Sequence, residues 1–291
     1  MKWLEKFSGT IYRIAAAKSL IRFDEFNPEK ALRRSLLMID PLTANEIRGF
    51  LSSRQTDSGG FMDKGGKSDL YYSLFGSFAS EALDLDDSNE RLKQYLDQSM
   101  SDSKPEGVHL HCAVILISRL AGINRLSKDI RDTLNKNISK PGTMSPYTAF
   151  LSLLSYYYSG NYKGLYQVSR RLKTISKVKD VPCTVVAANL VLQHCFGRPV
   201  EDHIHAIHSF YMKNGSFAAV KNAPVGDLLS TGVALYALKV AGADIRKIVP
   251  DCLEYVDSLY AGGGFCATIL DHDPDVEYTF YGLLALGALA A

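Results

Sequence analysis

The chain has 291 residues, of which 46% are hydrophobic and 22% charged, a balance that supplies a large buried core and excludes a disordered chain. Lys and Arg number 33 against 31 Asp and Glu. A net charge of +2 is too small an excess to neutralise a phosphate backbone, so no nucleic-acid partner is expected.

Helical periodicity runs through the sequence, with Gly and Pro at the breaks between apolar stretches. Residues 3–21 place Leu4, Phe7, Ile11, Ile14 and Ile21 near one stripe, opposite Lys2, Lys6, Arg13, Lys18 and Arg22. The stretch fits a helix docked on the body with a solvated cationic face. It also fits an interfacial helix in which residues 1–22 touch a membrane surface. Arg13 and Lys18 interrupt what would be the apolar stretch of a signal peptide.

From residue 43 onward the helices come in pairs. The first members, 43–54, 89–100, 128–137, 162–174, 201–213 and 244–259, are amphipathic and charged. The second members, 69–83, 108–120, 146–158, 182–196, 227–240 and 275–290, are apolar nearly all round. A helix apolar on every side must be buried, whereas its polar-faced partner stands outside. Six outer–inner hairpins of about 42 residues each predict an all-α chain of two concentric helical layers. The division is an N-terminal helical extension over 1–42 and one repeat domain over 43–291.

The five cysteines, Cys112, Cys183, Cys195, Cys252 and Cys266, form no Cys-x-x-Cys pair. A disulfide framework and finger-type zinc sites are excluded, and a reducing, cytoplasmic setting is expected. The longest apolar run, 283–291, is too short to span a bilayer.

Three segments align across the start of an inner helix. They run from Asp69 through Tyr72 to Gly76, from Asp227 through Ser230 to Ala234, and from Asp275 through Tyr278 to Gly282. A glycine-bearing turn ending in Phe61, Phe217 or Phe265 precedes each one. The Phe is expected to plug between neighbouring helices, and the small residue to sit where inner helices crowd one another.

On these residues, and on the stretch from Gln55 through Phe61 and Lys67 to Tyr72, the sequence resembles the prenyltransferase and squalene-cyclase repeat family. The resemblance implies an α/α toroid whose inner-helix N-termini surround the mouth of an apolar cavity that takes isoprenoid chains. Family protein prenyltransferases hold zinc with an Asp, a Cys two positions on, and a His. Here the Asp position is filled by Asp69, Asp227 and Asp275, but the Cys position holds Tyr71, Leu229 and Glu277. The His position, three after the Asp, holds Tyr72, Ser230 and Tyr278. Zinc-dependent prenyl transfer, and any other cofactor, is therefore not expected. The cyclase acid motif is matched in letters by Asp84-Leu-Asp-Asp87, but these residues close an inner helix and read as a solvated turn.

The three aspartates fit N-caps as well as polar groups at the mouth. Glu277, Asp227, His109, Tyr72 and Tyr278 are the candidate catalytic groups, and Glu277 beside an apolar cavity would have a raised pKa suited to an acid. Asp69, Tyr71, Phe75, Tyr147, Cys183, Ser230, Asp275 and Tyr281 are the candidate substrate contacts. Lys64, Lys67 and Lys221 sit in turns leading to the mouth and are candidates for anion binding. His205 and His208 lie three apart on an outer helix, where surface histidines are the ordinary case. The expected function is a divergent cyclase- or prenyltransferase-like protein acting on an isoprenoid or other long apolar substrate. The alternative is a non-catalytic toroid that binds a hydrophobic ligand or a helical protein partner.

Overall fold

The computed structural model describes residues 2–102, 104–139, 146–175 and 181–290. They fold as an all-α chain in which the only strands described are β1 (Tyr260–Ala261) and β2 (Gly264–Phe265). The outer helices are α3 (Pro41–Ser53), α5 (Asp86–Asp102), α7 (Lys128–Ser139), α9 (Tyr162–Ile175), α11 (Glu201–His208) and α13 (Val249–Ser258). The inner helices are α4 (Leu70–Ala82), α6 (Gly107–Leu120), α8 (Pro146–Tyr158), α10 (Cys183–Cys195), α12 (Leu228–Val240) and α14 (Val276–Leu289). Two further helices, α1 (Lys2–Glu25) and α2 (Pro28–Ser35), precede them.

The expected contrast between layers is present. In α14 every residue except Tyr278 and Leu286 is buried, whereas α5 buries only Ser88, Leu92 and Leu96, one stripe of a polar helix. Two outer helices are shorter than expected. The helix of α11 stops at His208, where the chain turns to pair Tyr211 with Phe217. That of α13 starts with Pro250 in its first turn, a position where the missing N–H costs nothing. All five cysteines are free and buried. No described helix is long and apolar enough to cross a membrane.

The inner helices pack in a cycle: α4 on α6, α6 on α8, α8 on α10, α10 on α12, α12 on α14, and α14 back on α4. A repeated turn locks the outer layer to this cycle. Gly59, Gly215 and Gly263, each two residues before the turn's Phe, have φ of +95°, +84° and +84°. A Cβ there would lie 2.2 Å from the Arg91 carbonyl oxygen of α5, 2.0 Å from that of Asp251 of α13, and 2.7 Å from that of Glu46 of α3. Each turn thus docks on the next outer helix, and the last docks on the first. Side chains repeat the pattern: Gln55 donates to the Ser88 carbonyl, Tyr211 to Asp251 and Tyr260 to Glu46. Gly215→Ala combines a strained φ with a backbone clash and is expected to cost about 2 kcal/mol. A urea midpoint unchanged from the parent would disprove that.

Within each of the three clear repeats the Phe N–H donates to a hydroxyl on the following helix. The pairs are Phe61 to Ser73 at 3.0 Å, Phe217 to Thr231 at 2.9 Å and Phe265 to Thr279 at 3.2 Å. This corrects the expected role of the small residues. A Cβ added to Gly76 would lie 2.3 Å from the Phe61 ring, and one on Gly282 2.6 Å from the Phe265 ring. Those glycines make room for the ring of their own turn, not for a neighbouring inner helix. Close helix approach falls elsewhere, at Gly232, where a Cβ would meet the Tyr281 carbonyl at 2.7 Å.

The first 42 residues contribute to the core. In α2, which is capped by Asn27 and carries Pro28 at its start, Ala31 and Leu32 are fully buried. The helix packs on α14 and α4 across the C-terminal ends of the inner helices. Gly287 permits this, since a Cβ there would lie 1.8 Å from the Ala31 carbonyl oxygen. Helix α1 packs on α9 and α10, and its docked face differs from the expected stripe. Ile14 and Ile21 are exposed, while Ala16, Ser19 and Phe23 are buried. Small side chains bring the helix close, and Phe23 anchors it edge-on against Tyr157 at 4.8 Å. The side chains of Leu4, Phe7 and Ile11 lie outside the described residues. Asp84 occupies a turn with φ +56° and faces Arg33 at 3.4 Å, as a solvated turn should.

Candidate functional site

In α4 and α14 the turn-facing side is occupied by the Phe of the preceding turn, and the opposite stripe lines a cavity. In α4 that stripe is Tyr71, Leu74, Phe75 and Phe78; in α12 the lining residues are Leu229, Val233 and Tyr236. Residues of α8, α10 and α14, together with Cys112, complete a cavity of about 460 Å³, a size suited to a small organic ligand. Its wall is aromatic on one side. Phe75 lies 4.9 Å from Phe280 and 5.5 Å from Tyr281, and Tyr71 stands perpendicular to Phe75 at 4.8 Å.

The C-terminal end of this lumen is closed. Pro28 of α2 forms part of the lining, and the Tyr236 hydroxyl donates to the Phe26 carbonyl at 2.9 Å. Beside it Arg119, with a side chain 5% exposed, bonds Glu29 at 3.0 Å, Glu81 at 2.5 Å and the Ser77 hydroxyl at 3.0 Å. The guanidinium lies 3.8 Å above the Phe78 ring, and Tyr158 donates to the other oxygen of Glu29. Four inner-layer groups and α2 are thereby tied into one polar seal under an apolar chamber.

The N-terminal end is acidic. Asp69, Asp227 and Asp275 cap α4, α12 and α14, each accepting from the backbone N–H three residues on, at 2.7, 2.7 and 2.8 Å. Burial pushes the Asp227 and Asp275 carboxyls up, against the pull of those capping bonds. Glu277, in the first turn of α14, is 8% exposed and accepts from the Tyr71 hydroxyl at 2.8 Å. Burial pushes its carboxyl to about 7; the Tyr71 bond opposes this, and the Asp275 and Asp69 charges add to it. At neutral pH the group is therefore divided between acid and carboxylate, and Tyr71 links it to the lumen wall. Burial, and then the Glu277 charge, pushes Tyr278 to about 12. Tyr72 is raised by burial and by Asp275.

The other sequence candidates are spread more widely. Phe75 and Tyr281 line the lumen with Tyr71, whereas His109 stands 3.8 Å from Asp69 on the rim. Lys64 is bound to Asp271 at 2.6 Å; burial lowers its ammonium pKa, but that bond and neighbouring carboxylates raise it on balance. Lys67 and Lys221 are exposed in their turns. Cys183 is fully buried with its thiol donating to the Ser230 carbonyl, and burial holds that thiol protonated. The Tyr147 side chain lies outside the described residues. His111 points away from the lumen to the Ser155 hydroxyl at 2.8 Å, and burial pulls it down to about 4. Among the described residues no group of three or more His, Cys, Asp or Glu is placed to hold a metal ion.

No family model matches the chain, and no curated protein does. Of the lining residues missed from the sequence, Phe78 and Phe150 stand three residues after the named Phe75 and Tyr147, whereas Tyr236 is in α12, where no aromatic was named. In α4 the glycine face would have identified Phe78, because the lumen stripe lies opposite Gly76; α8 has no glycine, and Tyr236 shares a face with Gly232, so neither carries that signal.

Proposed function

We propose that this protein is a divergent toroid of the prenyltransferase and squalene-cyclase type, and that it holds a long apolar substrate, isoprenoid or of similar shape, in its lumen. The observation that carries this reading is the aromatic-walled cavity of about 460 Å³, sealed at one end by α2. Burying an alkyl or isoprenoid chain there contributes roughly 25 cal/mol for each Å² removed from water. Zinc-activated thiol chemistry does not fit the residues, since Tyr71, Leu229 and Glu277 stand where the resemblance calls for Cys. A second reading, a toroid that binds without chemistry, is favoured by the thiols nearest the lumen. Burial holds Cys112, at about 12, and Cys183 in the protonated, non-nucleophilic form.

The test is binding of farnesol, a neutral C15 isoprenoid, followed by calorimetry. Val233→Trp places an indole in the lumen and is expected to weaken binding at least about tenfold. The variant should unfold within about 1.5 kcal/mol of the parent. Farnesol bound equally by both proteins would place the ligand elsewhere and remove the proposal.

A further inference from the structure

Glu277 does not itself line the lumen but is bonded to its wall through Tyr71, and it bears on the head of the molecule that enters. Glu277 is 8% exposed, and its one described hydrogen-bond donor is Tyr71, a lining residue. Its second oxygen accepts no bond among the described residues, and the charges acting on it are those of Asp275 and Asp69, both of its own sign. The nearby cations are engaged otherwise. Lys64 is held by Asp271, and His109 faces Asp69 on the rim. A buried carboxyl with no cation is costly to the fold unless something else supplies one.

We propose that the lumen takes a long-chain amine, with its apolar tail against Phe75 and Phe280 and its ammonium group at Glu277 and Tyr71. The inference rests on the lumen being the binding site and adds the charge of the ligand's head. An ammonium N–H would be donated to the open Glu277 oxygen while Tyr71 holds the other. The Tyr71 ring, on the same wall, offers a π-face to the positive charge. A phosphate or diphosphate head would instead meet Asp69, Asp227, Asp275 and Glu277, which repel it.

The experiment compares n-decylamine, n-decanol and decyl phosphate, each below its micellar concentration, by isothermal titration calorimetry at pH 7.5. Decylamine is expected to bind at least about tenfold more tightly than decanol, and decyl phosphate more weakly than either. In Glu277→Gln the ratio of amine to alcohol affinity is expected to fall to about one. Equal affinity for amine and alcohol in the parent, or a preference that survives in Glu277→Gln, would overturn the amine and leave the lumen standing. So would tightest binding of the phosphate. If none of the three binds, the lumen reading fails and the amine falls with it.

Discussion

Arg119→Met is expected to destabilise the fold by about 3–5 kcal/mol, the range for removing one partner of a buried ion pair. Met fills much of the same volume, so the loss comes from charge and not from a cavity. Without the guanidinium, Glu29 keeps its bond from Tyr158 but has no cation, and the Ser77 hydroxyl loses its partner. Glu81, whose side chain is 38% exposed, is partly solvated and adds little. The check is urea unfolding of Arg119→Met, Glu29→Gln and the double variant. The double variant should recover a large part of the loss, because neutralising Glu29 removes the stranded charge. A single-variant loss below about 1 kcal/mol would mean that the seal holds the fold only weakly.

The second large effect is a pH-dependent one at Glu277. Its carboxyl titrates near 4.5 when unperturbed and at about 7 in the fold. Between those values the native state binds the extra proton, so stability falls as pH rises through 7. The difference corresponds to about 3 kcal/mol once the group is ionised in the fold. Gln keeps an acceptor for Tyr71 and carries no charge. Glu277→Gln should therefore match the parent near pH 4 and exceed it by about 3 kcal/mol at pH 8.5. Denaturant midpoints across that range measure it. A gap between the two proteins that does not change with pH would show that the carboxyl is not raised.

Much of this architecture was written in local chemistry. The alternation of charged and wholly apolar helices identifies the two layers, and Asp69, Asp227 and Asp275 mark three helix starts that all prove to be capped. Glu277 stood out as a carboxylate in an apolar setting, and its burial follows from that. Other features depend on partners far along the chain and leave no local trace. The fit of Gly287 against Ala31 joins residues 256 positions apart, and the face that α1 buries is decided by the shape of α9 and α10. Arg119 sits in the last turn of α6, where a cation is ordinary. Only the arrival of Glu29 from α2 makes it a buried hub.

The docking of Gly263 and Tyr260 on α3 also bears on how the chain reaches its native state. In an open array of repeats, each unit gains its stability from neighbours already made, so folding advances as the chain lengthens. Here α3 and α4 gain one of their two flanks only when the final turn and α14 are in place, more than 200 residues later. Closing so long a loop is slow and entropically costly, and the benefit comes in one late step. Until then the first helices present a half-covered apolar face, and the segment that completes them is made more than 200 residues after them.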